Sequence, residues 1–154
     1  MRKEYKVVVT DASCFIILSK IGAINLLNNL FTTVLTTPEV ASECGFPLPG
    51  WVSIKSADPF LQKKFNQHVD LGEASAIALA SGISCDFLIL DDSEARKFAE
   101  KLGLNVKGSI GLILSAKQNG LITSIRPYLN LIQQTNFRVS ISIIQAVLKA
   151  AGED

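Results

Sequence analysis

Two kinds of apolar run alternate along the chain. Short β-branched runs read as strands: Tyr5-Lys6-Val7-Val8-Val9, then residues 31–35, 51–54, 86–90 and 104–106. Between them, apolar residues at helical spacing predict helices over 13–18, 23–30, 59–68, 71–81, 93–102 and 108–119. Thr37-Pro38 predicts one more short helix, with Thr37 as its cap, Pro38 at its first position, and Gly45 and Pro47 ending it. Gly103 and Gly120 close the helices that precede them. Two further helices are expected over 124–134 and 142–150, with capping-box spacing between Ser142 and Gln145. Strands alternating with helices make an α/β domain, here a mostly parallel sheet of four or five strands with helices on both faces.

Composition narrows this picture. The 154 residues fit one domain, 1–154, in which 123–154 is a C-terminal helical extension. Apolar residues make up 48% and charged residues 19%, which excludes a disordered chain. The mean hydropathy of +0.32 is high, yet no run approaches the ~18 apolar residues of a membrane span. A sheet buried on both faces, with an apolar homodimer interface, accounts for it instead. Met1-Arg2-Lys3 leads into Glu4 and Lys6 without a secretory pattern, so a cytoplasmic location and no membrane partner are expected. Cys14, Cys44 and Cys85 are widely spaced and odd in number, as buried thiols of a reducing compartment are. A net charge of +1 argues against gripping nucleic acid by bulk electrostatics, so any such role is local.

The acids fall in places that matter. Ligands of open parallel sheets bind beyond the carboxyl ends of the strands. Asp11 follows the first strand, and Asp91-Asp92 follow Leu88-Ile89-Leu90. Glu39 and Glu43 share one face of the helix after Pro38, and Glu73 lies in the first turn of an Ala-rich helix. Carboxylates from separate elements suit a hard cation such as Mg²⁺ or Mn²⁺. Each also has a plainer role: Asp11 and Asp92 as helix caps, Glu73 as the capping-box partner of Asp70, Glu39 and Glu43 as a solvated face.

Their order along the chain resembles the PIN-domain ribonucleases. The resemblance runs from about Val7 to Ile122, through Val7-Val8-Val9-Thr10-Asp11-Ala12-Ser13, Thr37-Pro38-Glu39-Val40-Ala41-Ser42-Glu43, Leu71-Gly72-Glu73-Ala74 and Leu88-Ile89-Leu90-Asp91-Asp92. The stretch Leu102-Gly103-Leu104-Asn105-Val106-Lys107-Gly108-Ser109 is similar to a prokaryotic PIN-like subfamily of nucleic-acid-binding proteins. The family pattern selects Glu43 over Glu39. It implies a PIN-like three-layer α/β/α sandwich in which Asp11, Glu43, Glu73 and Asp92 are catalytic metal ligands. Ser13, Asp91 and Glu39 would support them.

By that resemblance the reaction is metal-assisted hydrolysis of single-stranded RNA with Mg²⁺ or Mn²⁺, as in the toxin of a toxin–antitoxin pair with a small antitoxin protein. Departures from the pattern are the pair Asp91-Asp92 after Leu90, the 45–69 segment and the C-terminal helices. Arg96, one turn after Asp92, and Lys97 and Lys101 are the candidate phosphate contacts; a solvated face is the plainer reading for the lysines. The lone His68 has no nucleophile spaced to it, and the Gly108/Gly111 pair lacks the rest of a dinucleotide fingerprint. Two other classes fit less well. One is a PIN fold that binds RNA or protein with little turnover. The other is a receiver-like phosphorylation module in which Lys107 would face the strand-end acids.

Overall fold

A computed structural model describes residues 5–154; the leader reading at Met1 to Glu4 lies outside them. Among the described residues the strands are β1 (Tyr5–Thr10), β2 (Phe31–Thr36), β3 (Val52–Ile54), β4 (Phe87–Ile89) and β5 (Val106–Lys107). All their pairings are parallel, in the order β3-β2-β1-β4-β5. The helices are α1 (Ala12–Lys20), α2 (Asn25–Leu30), α3 (Pro38–Cys44), α4 (Pro59–Phe65), α5 (Leu71–Gly82), α6 (Ser93–Lys101), α7 (Ser109–Gln118), α8 (Arg126–Gln133) and α9 (Ile141–Ala150). They flank the sheet, with α3, α4 and α5 packed together and α7 packed against both α1 and α9. The α/β fold is the one expected, at the upper strand number and without an antiparallel pair.

The sheet is buried, which accounts for the high hydropathy. Val8, Val9, Leu88, Ile89 and Leu90 are wholly inaccessible, and Val34 and Leu35 nearly so. Among the described residues no helix is long and apolar enough to cross a membrane. β1 is the centre of the sheet because its crossovers run to both sides. The chain first moves outward through β2 and β3, then returns to pair β4 on the other edge of β1. Asp86 anchors that return: its Oδ2 accepts the N–H groups of Lys6 and Val7 at 2.9 and 2.8 Å. The reversal of direction between β1 and β4 opens a crevice at their carboxyl ends.

The caps mostly follow the chain's own signals. Thr37 Oγ1 accepts the Val40 N–H, and Gly103 and Gly120 adopt φ of 87° and 75° beyond α6 and α7. The last helix departs from expectation. Ser140, not Ser142, caps it by accepting the Ile143 N–H, and the Ser142 hydroxyl pairs with that of Ser140. The expected Ser142/Gln145 box lies inside the helix instead, because the cap formed two residues earlier.

The C-terminus is held by one carboxylate. Glu153 accepts from Lys117 Nζ at 2.8 Å, from Ser124 Oγ at 2.5 Å and from the Ile125 N–H at 2.8 Å. These donors, Lys117 foremost, hold its carboxyl down at about 2. The clasp fastens the end of α9 to the α7–α8 connection.

Candidate active site

β1 and β4 end side by side, since Thr10 and Ile89 are register partners and the Asp11 N–H donates to Ile89 O at 3.1 Å. Asp11 and Asp91-Asp92 therefore emerge together at the crevice. Asp11 stands at the N-cap position of α1, but its side chain makes no capping hydrogen bond. It is only 6% exposed, and its buried Oδ1 has no hydrogen-bond partner among the described residues. Burial raises its carboxyl to about 7, and repulsion from Glu43, Asp70 and Asp91 adds to this against the Ala12 N–H. A buried carboxylate with an orphaned oxygen calls for a cation or a proton.

Asp91 and Asp92 are held in different ways. Asp91 Oδ1 accepts the Ser109 N–H at 2.7 Å, and Oδ2 accepts both Ser109 Oγ at 2.6 Å and Ser13 Oγ at 2.8 Å. Those bonds tie the end of β4 to the first turns of α1 and α7. Asp92 caps α6 through Oδ2, which accepts the Ala95 N–H at 2.9 Å. Its other oxygen has no partner among the described residues, and the side chain faces solvent. Of the two, Asp92 is the freer to bind a ligand.

The glutamates come from α3 and α5, which a buried hydroxyl chain sets against each other. Ser75 Oγ donates to Gly72 O at 2.7 Å, so Thr37 Oγ1 must donate the 2.6 Å bond between the two hydroxyls. This seats the Glu43 carboxylate directly on Gly72. A Cβ there would lie 2.1 Å from Glu43 Oε1. Glu73 and Asp70 form a complete capping box on α5. Burial, with Asp70 next, lifts the Glu73 carboxyl to about 7, and burial followed by Asp70 also raises Glu43.

Asp11, Glu43, Asp70, Glu73, Asp91 and Asp92 line one open depression of about 380 Å³, bordered by Ser13 and Phe137. Among the described residues no lysine or arginine lines it. Among the described residues, no three Asp, Glu, His or Cys side chains are gathered tightly enough to cage a metal. The donor set still fits Mg²⁺ or Mn²⁺. Every donor is an oxygen, one buried oxygen lacks a partner, and Mg²⁺ commonly binds through one or two carboxylates while keeping its waters. Asp11 with Asp92 would be the natural direct pair, with Glu43, Asp70 and Glu73 reached through water.

The remaining candidates separate. Glu39 turns toward α4, where Gln62 Nε2 donates to its Oε2 at 3.0 Å, and it does not line the depression. Arg96 and Asp91 both approach the space a Cβ would fill at Gly108, 3.2 Å from Nη1 and 3.1 Å from Oδ1. Lys97 is exposed beside Glu94, and Lys101 is exposed too. His68 stacks on Phe98, with ring centroids 5.0 Å apart. Lys107 donates to Ser115 Oγ and sits 4.4 Å over the Phe87 ring, away from the acids. The receiver-like reading loses its lysine there. The three cysteines are unpaired; burial pushes the Cys14 thiol up, and raises the Cys44 thiol to about 11.

Three features of the site went unread in the sequence. Asp70 was visible only as a cap, Ser109 only within the Leu102 to Ser109 resemblance, and Phe137 had no signal at all. Each reaches the site only through contacts between segments far apart in the chain.

A family model described as PIN domain matches residues 7–153. The chain belongs to the PIN-domain family. PIN domains are generally nucleases and usually use Mg²⁺ or Mn²⁺. The match continues through α8 and α9, beyond the Val7 to Ile122 stretch that carried the resemblance. No curated protein matches the chain. A PIN domain with this acidic crevice has a nuclease-like fold and the oxygen donors for a hard cation.

Proposed function

We propose that this PIN domain is a divalent-metal-dependent endoribonuclease that hydrolyses phosphodiester bonds of single-stranded RNA. The observation carrying the reading is Asp11: a buried carboxylate with an unpartnered oxygen, at the sheet's crevice and surrounded by five other acids. Such a group is costly without a cation and gains most from one. Mg²⁺ or Mn²⁺ held there would polarise a phosphate oxygen and lower the pKa of bound water. Asp11 and Asp92 hold the ion in this reading. Glu43, Asp70 and Glu73 orient its water, and Asp91, braced by Ser13 and Ser109, keeps the β4 end in place.

The purified protein should cut single-stranded RNA with Mn²⁺ and stop in EDTA. Binding without cutting, across diverse RNAs, would favour the second reading, a binding module with a PIN fold. In a toxin–antitoxin pair the same activity makes this chain the toxin, and its induction in cells should arrest growth. The homodimer belongs to the same proposal. Exposed Phe60 and Leu71 are apolar surface for it to cover, and light scattering at micromolar concentration measures it.

Gly72→Ala tests the seat of Glu43. The added methyl collides with a flexible carboxylate rather than with backbone, and Ala favours a helix. Urea unfolding should therefore stay within about 1 kcal/mol of the native protein. Mn²⁺-dependent cleavage should fall by about 10²-fold, the scale of an ångström-level misplacement. Unchanged cleavage would remove Glu43 from the proposed machinery.

A further inference from the structure

Beside the acidic depression lies a second cavity, of about 420 Å³, between α7 and α9. Its walls are apolar: Ile110 and Leu114 from α7, and Ile143, Ala146, Val147 and Ala150 from α9. The α9 residues follow helical spacing and form one face. Two arginines stand at the rim, Arg96 from α6 and Arg138 from the α8–α9 connection. Asp91 and Phe137 line both hollows, so the two adjoin.

Arg96 is half-buried, and it has no hydrogen bond or ion pair among the described residues. Its Nη1 would lie 3.2 Å from a Cβ at Gly108, so the missing side chain leaves room for the guanidinium. Arg138 is exposed and likewise without a partner among the described residues. Among the described residues neither hollow is lined by any other cation.

We propose that this cavity seats a nucleotide next to the scissile bond, its base between α7 and α9 and its phosphate on Arg96 and Arg138. The inference rests on the nuclease reading of the neighbouring acids. A polyanion is repelled by six carboxylates, and the arginine rim is where attraction offsets that repulsion. The volume lies at the lower end of small-molecule sites, roughly 300–1,000 Å³, which suits a nucleoside better than a protein helix. The walls offer apolar faces and no hydrogen-bond code, so the base is held by contact and shape with little sequence preference.

The test is binding, measured apart from cleavage, by fluorescence anisotropy of a labelled single-stranded RNA octamer in EDTA with the full chain. Arg96→Ala/Arg138→Ala should weaken binding at least tenfold at low salt. It should also flatten the slope of log K against log salt by about 1.4, the value for two phosphate contacts on a single strand. Ala146→Trp, which fills the cavity from an exposed position, should weaken binding about tenfold and leave that slope unchanged. Lys149→Ala, on α9 but outside the cavity, should bind as the native protein does. Circular dichroism and melting temperature establish that each variant is folded.

Equal affinity for the native protein and all three cavity substitutions would overturn the proposal. So would a native protein that binds no octamer, which would turn attention to a protein occupant. Failure of the nuclease reading looks different: Arg-dependent binding would persist while no condition gave cleavage.

Discussion

Asp11→Asn should abolish Mn²⁺-dependent cleavage and, in EDTA at pH 8, make the protein more stable. The first effect follows from removing a proposed direct ligand. Loss of an outer-shell partner alone costs about 10–100-fold, so removal of the ligand should exceed about 10²-fold. The second follows from burial. The Asp11 carboxyl titrates near 7 in the folded chain against 3.8 as the ordinary value. Between those values the folded state holds a proton that the unfolded state has released, so stability falls as pH rises from about 4 to 7. The full difference of about 3 units corresponds to at most about 4 kcal/mol.

Glu73, raised to about 7 by burial first and Asp70 next, adds its own loss of stability over the same window. An uncharged Asn escapes the cost. The melting temperature of Asp11→Asn should exceed that of the native protein by several degrees at pH 8, and by much less at pH 5. Mn²⁺ should raise the native melting temperature and barely move the variant's. A variant that cuts normally, or that melts lower than the native protein at pH 8, would sink this account of Asp11.

Asp91→Ala and Asp92→Ala should part company despite being neighbours. Asp91 accepts three hydrogen bonds, one of them from the N–H of the fully buried Ser109. Removing it strands that N–H and two hydroxyls, at about 1–3 kcal/mol for a buried orphan donor. Relief of repulsion on Asp11 returns part of this, so a net loss of about 2 kcal/mol is expected in urea unfolding. Asp92→Ala removes one cap, the bond to the Ala95 N–H, for about 1 kcal/mol. Cleavage should be lost in both. Equal stability of the two variants would show that Asp91 is not the brace described above.

Much of the fold was legible because it is set by local physics. Period-2 and period-3.6 patterns distinguish strand from helix within one segment, and Thr37-Pro38 and Asp70 to Glu73 carry their capping chemistry in a few adjacent residues. Asp11 and Asp92 could be singled out because a strand's end is itself a local fact. The dual role of Asp92 and Glu73, as cap and as site residue, was also readable as two open alternatives. The caps are made, and the same side chains line the depression.

What the sequence could not decide was anything that depends on which elements meet. The alternation of strands and helices does not order the strands, and only β1 lying between β2 and β4 puts Asp11 beside Asp91-Asp92. Glu39 and Glu43 share a helix face in sequence, yet the packing of α3 sends one toward Gln62 and the other onto Gly72. Ser109 and Phe137 reach the site from distant segments, and Arg138 lines the neighbouring cavity instead. The acids themselves were thus the sequence's own contribution, since strand ends and helix starts are local. Their convergence, and the burial that raises Asp11, belong to the tertiary structure, because both arise from contacts between residues far apart in the chain.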